Sequence, residues 1–261
     1  MTDTILDMST DYAWELWGRY EPYFGVITDE KYKRAALVEQ AYLDFFDSGD
    51  LHVKFVMDFI QRTMITDFTP ESVLDFGCGV GRTLIPFARL AKSVHGSDVS
   101  TTMLAEARIN CDNHMVTNVN LFKTTDSLEE ITGPYDLIHS FIVFQHIPIP
   151  RGLTILRNLI AFLKPNGVLA LQITYAGMIA DASGTVTREI RVESARKPSG
   201  MSAAPIMHMQ MNHYDLNDVL FILHTNEISI VNLYLTDHGG QLGVFIFGRR
   251  HTGLSTISCI T

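Results

Sequence analysis

Apolar positions along this 261-residue chain change rhythm near residue 70. Before that point they repeat at three-to-four spacing, the period of one helix face. Ala36, Leu37, Ala41, Leu43 and Phe45 form one such stripe within residues 29–46. Val53, Val56, Met57, Ile60 and Met64 form a second, with Asp50 placed to cap it. After residue 70, short apolar runs that suit buried strands alternate with helical stretches. Val73 and Leu74 open the first run, residues 94–98 the second and 119–123 the third, with 134–141 and 168–173 following. Asp215 can cap a closing helix over 216–223, and the β-rich runs 228–234 and 243–248 flank Gly239-Gly240, a hairpin turn. The pattern predicts an α/β fold with a helical extension over residues 1–70, a core over 71–250 and a tail over 251–261. Within the core, residues 175–211 read as an insertion. It is broken by Gly, Ser and Pro, alternates Val186, Ile190 and Val192, then turns Met-rich at Met201, Met207, Met209 and Met211.

The most informative segment is Val73-Leu74-Asp75-Phe76-Gly77-Cys78-Gly79-Val80-Gly81-Arg82. A strand delivers Asp75, and three glycines then turn the backbone into a helix. Glycine accepts positive φ and lets a ligand approach the main chain. A dinucleotide fingerprint requires glycine at the sixth position, where Arg82 stands, and a P-loop requires Gly-Lys-Ser/Thr, which is missing. An acid just before the first glycine would repel a pyrophosphate but suits a cationic ligand. Asp98 ends the second strand some twenty residues on, where nucleotide-binding βαβ units place the acid for ribose hydroxyls.

This run resembles motif I of the class I S-adenosylmethionine-dependent methyltransferases, and the order of later segments over residues 70–250 is similar to theirs. The resemblance implies a Rossmann-like sheet of seven strands in the order 3-2-1-4-5-7-6, the last antiparallel, with S-adenosylmethionine as cofactor. It places Asp75, Gly77, Cys78, Gly79 and Gly81 against the cofactor and Asp98 on its ribose. Val99 and Met103 then flank the adenine, Thr125, Asp126 and Ser127 face its edge, and Phe141 lies near the sulfonium. Tyr20 and Tyr23, in the aromatic run that also holds Trp14 and Trp17, would reach the methionine end from an N-terminal lid. Leu163-Lys164-Pro165-Asn166-Gly167 resembles the family's turn into the fifth strand, with Asn166 replacing a glycine.

Composition narrows the acceptor. A net charge of −9 and the lack of a Lys/Arg cluster disfavour nucleic acid. No apolar stretch reaches membrane-span length, no signal-type organisation opens the chain, and three scattered cysteines suggest neither disulfides nor a zinc site. A cytoplasmic enzyme without metal follows as the expectation, because Ser140-Phe141 stands where metal-dependent relatives carry an acid. Its acceptor would be a small molecule methylated at oxygen or nitrogen. Methylation of a peptide or protein, and cofactor binding without turnover, are the alternatives. Candidate groups beside the acceptor are His146, then His213 and Tyr175, whereas His139, within a strand, is expected to be structural.

Overall fold

The structure is a computed structural model that describes residues 9–180, 186–188, 192–194 and 207–251. Its first element is α1 (Thr10–Tyr20), followed by α2 (Pro22–Val26) and α3 (Glu39–Thr63). Alternating units come next: β1 (Ser72–Phe76), α4 (Leu84–Leu90), β2 (Ser93–Asp98), α5 (Thr101–Asn113), β3 (Val119–Lys123) and β4 (Tyr135–Ser140). The remainder comprises α6 (Ile149–Ala161), β5 (Leu163–Ala180), β6 (Val186–Arg188), β7 (Val192–Ser194), β8 (His208–Gln210), α7 (Leu216–Thr225), β9 (Ile228–Asp237) and β10 (Gln241–Arg250). The tail beyond His251, Met201 and the side chains of Val186, Ile190 and Val192 lie outside the described residues.

The main sheet runs β3-β2-β1-β4-β5-β10-β9. Strands β1 to β5 pair in parallel, and β10 is antiparallel to both neighbours. With β9 and β10 as the sixth and seventh core strands, this is the expected order. Central strands are buried on both faces, and alternate residues serve opposite core layers, as the two-residue period of a strand requires. Val73, Val168, Ala170, Phe245 and Phe247 face the layer built with α3, α4 and α5. Leu74, Leu169, Leu171, Val244 and Ile246 face the layer built with α6 and α7. The chain runs outward from β1 to β3 and then returns to β4. This leaves a topological switch at the carboxyl ends of β1 and β4, the usual place for a ligand in such sheets.

Three local features differ from the pattern-based expectation. Most of the two N-terminal stripes belongs to one 25-residue helix, α3; Ala36 and Leu37 lie in the chain that leads into it, and Met64 is its C-cap. Gly49 and Asp50 do not break it: a Cβ on Gly49 would lie 2.0 Å from the Arg82 carbonyl oxygen, so the glycine lets α3 dock on the turn after β1. Asp50 caps nothing and instead pairs with Arg89 at 2.9 Å on the exposed side. The Lys164-Pro165-Asn166-Gly167 turn is absorbed into β5 as an irregularity, with Asn166 at φ +65° and Lys164 paired to Asp136 at 2.9 Å. The chain after the expected fifth strand continues β5 through Tyr175 to Ala180. The closing hairpin turns as expected, with Gly239 at φ +66° and Gly240 at +91°.

Candidate functional site

At the switch point the backbone N–H groups of Gly77 and Cys78 donate to the Ser97 carbonyl at 2.8 and 3.0 Å, tying the glycine turn to the end of β2. Gly77, Gly79 and Gly81 have φ of +74°, +52° and +91°, which bars side chains there at little cost. Asp98 completes the turn: its Oδ2 accepts the Gly79 N–H at 3.0 Å and its Oδ1 the Ser100 N–H at 2.9 Å. Enclosure pushes the Asp98 carboxyl up to about 6, against the lowering effect of backbone N–H donors from Ser100, Gly79 and Val99. Ser100 caps α5 by accepting the Met103 N–H.

These elements surround a cavity with about 840 Å³ of empty space, including its open mouth. Gly77, Gly79, Asp98, Val99, Met103, Thr125 and Asp126 line one part, with Phe141, Ile142, Val143, His146 and Ile147 on another. The N-terminal segment closes it with Thr10, Asp11, Trp14, Gly25 and Val26.

The cavity therefore brings together most of the residues expected from sequence, but not all. Asp75 is only 1% exposed and sits behind the wall. Its Oδ1 accepts from His139 Nδ1 at 2.7 Å and its Oδ2 from the Thr83 hydroxyl at 2.8 Å. Cys78 is buried against β2, and Gly81 faces Ala107 and Ile85; neither lines the cavity. Ser127 is exposed beyond its edge. Tyr23 points into the core, its hydroxyl within hydrogen-bonding distance of Glu106 Oε1 at 2.8 Å and Asn110 Oδ1 at 2.9 Å, and Tyr20 packs beside that core. Trp17 is buried there too, leaving Trp14 as the tryptophan on the cavity.

Of the three candidate groups beside the acceptor, only His146 reaches the cavity. His213 is buried, with Nε2 3.1 Å from the Gln241 side-chain oxygen, and Tyr175 lies half-buried on β5, also off the lining. His146 Nδ1 lies 2.7 Å from the Gln210 carbonyl; a carbonyl only accepts, so that nitrogen carries the proton. Its Nε2 is left to accept from Gln145 Nε2 at 3.3 Å, and Thr174 fixes the Gln145 oxygen at 2.7 Å. Burial lowers the His146 pKa to about 4, so the ring is neutral near pH 7. Trp14 meets it edge-on with ring centroids 5.0 Å apart.

Two arginines escaped the sequence reading. Arg82, nearly buried, forms part of the lining just beyond the glycine turn. Arg151, in the first turn of α6, binds both Asp126 carboxylate oxygens at 2.7 Å, the Thr10 hydroxyl at 2.7 Å and Asp11 at 3.0 Å. Asp126 is therefore engaged by protein rather than facing the cavity unpaired. Nothing in local pattern couples residues about 140 positions apart.

Arg151 thus fastens one end of α1 over the cavity. Glu15 fastens the middle, accepting from Ser100 at 2.9 Å and from Thr101 and the Thr102 N–H at 3.2–3.3 Å at the N-terminus of α5. Although burial opposes it, hydrogen bonds from Ser100, Thr102 and Thr101 hold the Glu15 carboxyl below its ordinary value. Arg151→Ala should release the near end only: hydrogen exchange rises over residues 10–14 but not over the rest of α1, while global stability falls by about 1 kcal/mol, since the pairs are half-exposed. Unchanged exchange would show that Glu15 alone holds the helix.

Among the described residues, no helix is long and apolar enough to cross a membrane, and no three His, Cys, Asp or Glu converge to hold a metal.

Comparison with known proteins agrees with the geometry. A family model described as a methyltransferase domain matches residues 50–211, well over half of the chain. The chain is 37% identical over 78 residues to the chloroplastic magnesium protoporphyrin IX methyltransferase of Arabidopsis thaliana, covering 30% of this chain and 25% of that protein. It is 25% identical over 164 residues to the magnesium-protoporphyrin O-methyltransferase of Synechocystis sp. PCC 6803, covering 63% and 65%. The matches thus span a quarter to just under two thirds of these curated relatives. In three dimensions the chain is similar to the crystal structure of magnesium protoporphyrin IX methyltransferase from Synechocystis PCC 6803 with bound SAH. The TM-score is 0.59 at 18% identity, over 92% of this chain and 94% of that one, a likeness of fold.

Proposed function

Because this chain belongs to the methyltransferase-domain family, we propose that it transfers a methyl group from S-adenosylmethionine to oxygen or nitrogen of a small-molecule acceptor, in line and without a metal. The observation that carries this reading is one continuous cavity running from the glycine turn and Asp98 to the apolar surfaces of Trp14, Val143 and Ile147.

The residues present suit the cofactor. A Cβ on Gly77 would come within 2.4 Å of Val143 Cγ2, and one on Gly79 within 2.9 Å of Val26 Cγ2, so side chains there would collide with residues that line the cavity and push them into it. Asp98 offers carboxylate oxygens to ribose hydroxyls, Val99 and Met103 offer apolar surface to the adenine, and Thr125 and Asp126 stand at its edge. When bound, S-adenosylmethionine supplies an electrophilic methyl on a positively charged leaving group.

The protein's own contribution is alignment and exclusion of water. Holding nucleophile and electrophile at contact distance in line can supply roughly 7–11 kcal/mol of the barrier. Trp14 and the pinned α1 close the cavity, and Phe141 packs in a three-ring cluster with His52, stacked at 3.9 Å, and Phe245 at 5.4 Å. His146 is proposed as a positioning residue. Its proton is committed to Gln210, its free lone pair faces Gln145, and a group with pKa about 4 takes up protons poorly near neutrality. The same reading keeps the protein in the cytoplasm, which suits the free buried thiols of Cys78 and Cys111, and away from nucleic acid, which suits the acidic net charge.

Calorimetric titration with S-adenosylhomocysteine, followed by labelled-methyl transfer to phenols, amines and carboxylates, tests the reading; well-folded protein that shows no saturable binding would sink it. The titration should also depend on pH in one direction. Above about 6 the Asp98 carboxylate is ionised and accepts hydroxyl donors; below that it takes up a proton and loses an acceptor. Affinity should therefore hold through neutrality and fall by about tenfold per unit as pH drops below about 6. Asp98→Asn should bind weakly with no such slope.

A further inference from the structure

Arg82 has an unmet demand that the proposed reaction does not yet use. Only 6% of the residue is exposed, and it forms part of the cavity lining. Among the described residues its one side-chain hydrogen bond runs from Nη1 to the Ser48 hydroxyl at 3.3 Å, and its buried Nε has no partner. Among the described residues it makes no ion pair. Asp75, the acid whose field it feels most, already spends its oxygens on His139 and Thr83. The other near neighbours are the Phe141 face, 5.4 Å from the guanidinium carbon, and neutral rings. His52 is one of these: burial first, then the fields of His139 and Arg82, push its pKa well down. A buried cation is costly unless it is paired and hydrogen-bonded.

The neighbourhood also selects the anion. Arg151, the other cation on the cavity, is satisfied by Asp126 and Asp11, so Arg82 stands alone. The Asp98 carboxylate on the same lining disfavours a multiply charged group such as a phosphate. A planar guanidinium fork matches a planar, singly charged acceptor.

We propose that Arg82 is the anion-recognising residue of the cavity and receives a carboxylate of the bound ligand. This rests on the methyltransferase reading. It leaves two sources of one chemistry: the amino-acid carboxylate of the cofactor, or a carboxylate on the acceptor.

Two ligand pairs separate them. The first is S-adenosylhomocysteine against its decarboxylated analogue, titrated calorimetrically. The second is benzoate against benzamide, titrated by tryptophan fluorescence into protein saturated with S-adenosylhomocysteine, with Trp14 on the lining as reporter. One pair should show a carboxylate preference of about ten- to hundredfold, the scale of a charge-assisted hydrogen bond in a site closed to water. In Arg82→Gln that preference should fall below about threefold, and the pair that responds identifies the source. Arg82→Lys, which keeps the charge without the fork, should lie between; it carries the test if the Gln variant does not fold. Indifference to the carboxylate in both pairs, or a preference unchanged in a folded variant, overturns the proposal. Wild-type protein that binds no S-adenosylhomocysteine overturns the methyltransferase reading and this one with it; binding that ignores the carboxylate overturns this one alone.

Discussion

Gly49→Ala is expected to destabilise the protein although it replaces glycine in the middle of a helix. Intrinsic propensity favours the alanine by up to about 1 kcal/mol. Packing opposes it, because the new Cβ would meet the Arg82 carbonyl oxygen at 2.0 Å and the carbonyl carbon at 2.9 Å. Both are backbone atoms in a turn already fixed by Ser97 and Asp98, so neither can swing aside as a long side chain does. Overpacking of this kind costs about 1–3 kcal/mol and occasionally more, and an immovable partner puts it at the upper end. A net loss of about 2 kcal/mol follows from those two terms, visible as a lower urea midpoint. The displaced carbonyl belongs to the turn that lines the cavity, so affinity for S-adenosylhomocysteine should fall in the same variant. A higher midpoint would mean that α3 is not docked through this glycine.

The same glycine marks where sequence pattern stops being informative. Gly49-Asp50 carries the signs of a helix end followed by a cap, and only a contact with a residue 33 positions later makes one continuous helix of it. The glycine turn, Asp98 and the closing hairpin were legible because their signals are local: positive φ, a strand-ending acid, and two glycines between β-rich runs. The strand order came from resemblance and was found in the sheet. The lid was legible as an aromatic helix but not in its orientation. Pro22 starts a second helix immediately after α1, and that change of direction sends Tyr23 into the core while Trp14, Gly25 and Val26 reach the cavity. The network behind the glycine turn was invisible, because His52, Asp75, Thr83 and His139 meet only through tertiary packing of α3, β1 and β4.

That network sets the second large effect, at Asp75. The carboxylate accepts from His139 Nδ1–H, so in the neutral ring Nε2 is an acceptor, and His52 Nε2, 3.0 Å away, is its donor. Thr83 donates to the remaining oxygen. Asp75→Ala would orphan the His139 N–H and the Thr83 hydroxyl in a site closed to water. Each orphaned buried donor costs about 1–3 kcal/mol, so the two together should lower stability by about 2–6 kcal/mol in denaturant unfolding. Asp75→Asn keeps the shape but turns one acceptor into a donor. If that donor meets His139 Nδ1, both histidines must exchange tautomers; if it meets Thr83, the hydroxyl must turn away. Its loss should be smaller, about 1–3 kcal/mol, the cost of leaving a buried polar group unsatisfied. The comparison also separates two roles for Asp75. An acid that touched the cofactor directly would, as Asn, abolish binding while leaving the unfolding midpoint nearly unchanged. An acid behind the wall, as the structure has it, would lower the midpoint, and the fraction still folded would bind S-adenosylhomocysteine with only a modest loss, because the groups on the cavity side are intact.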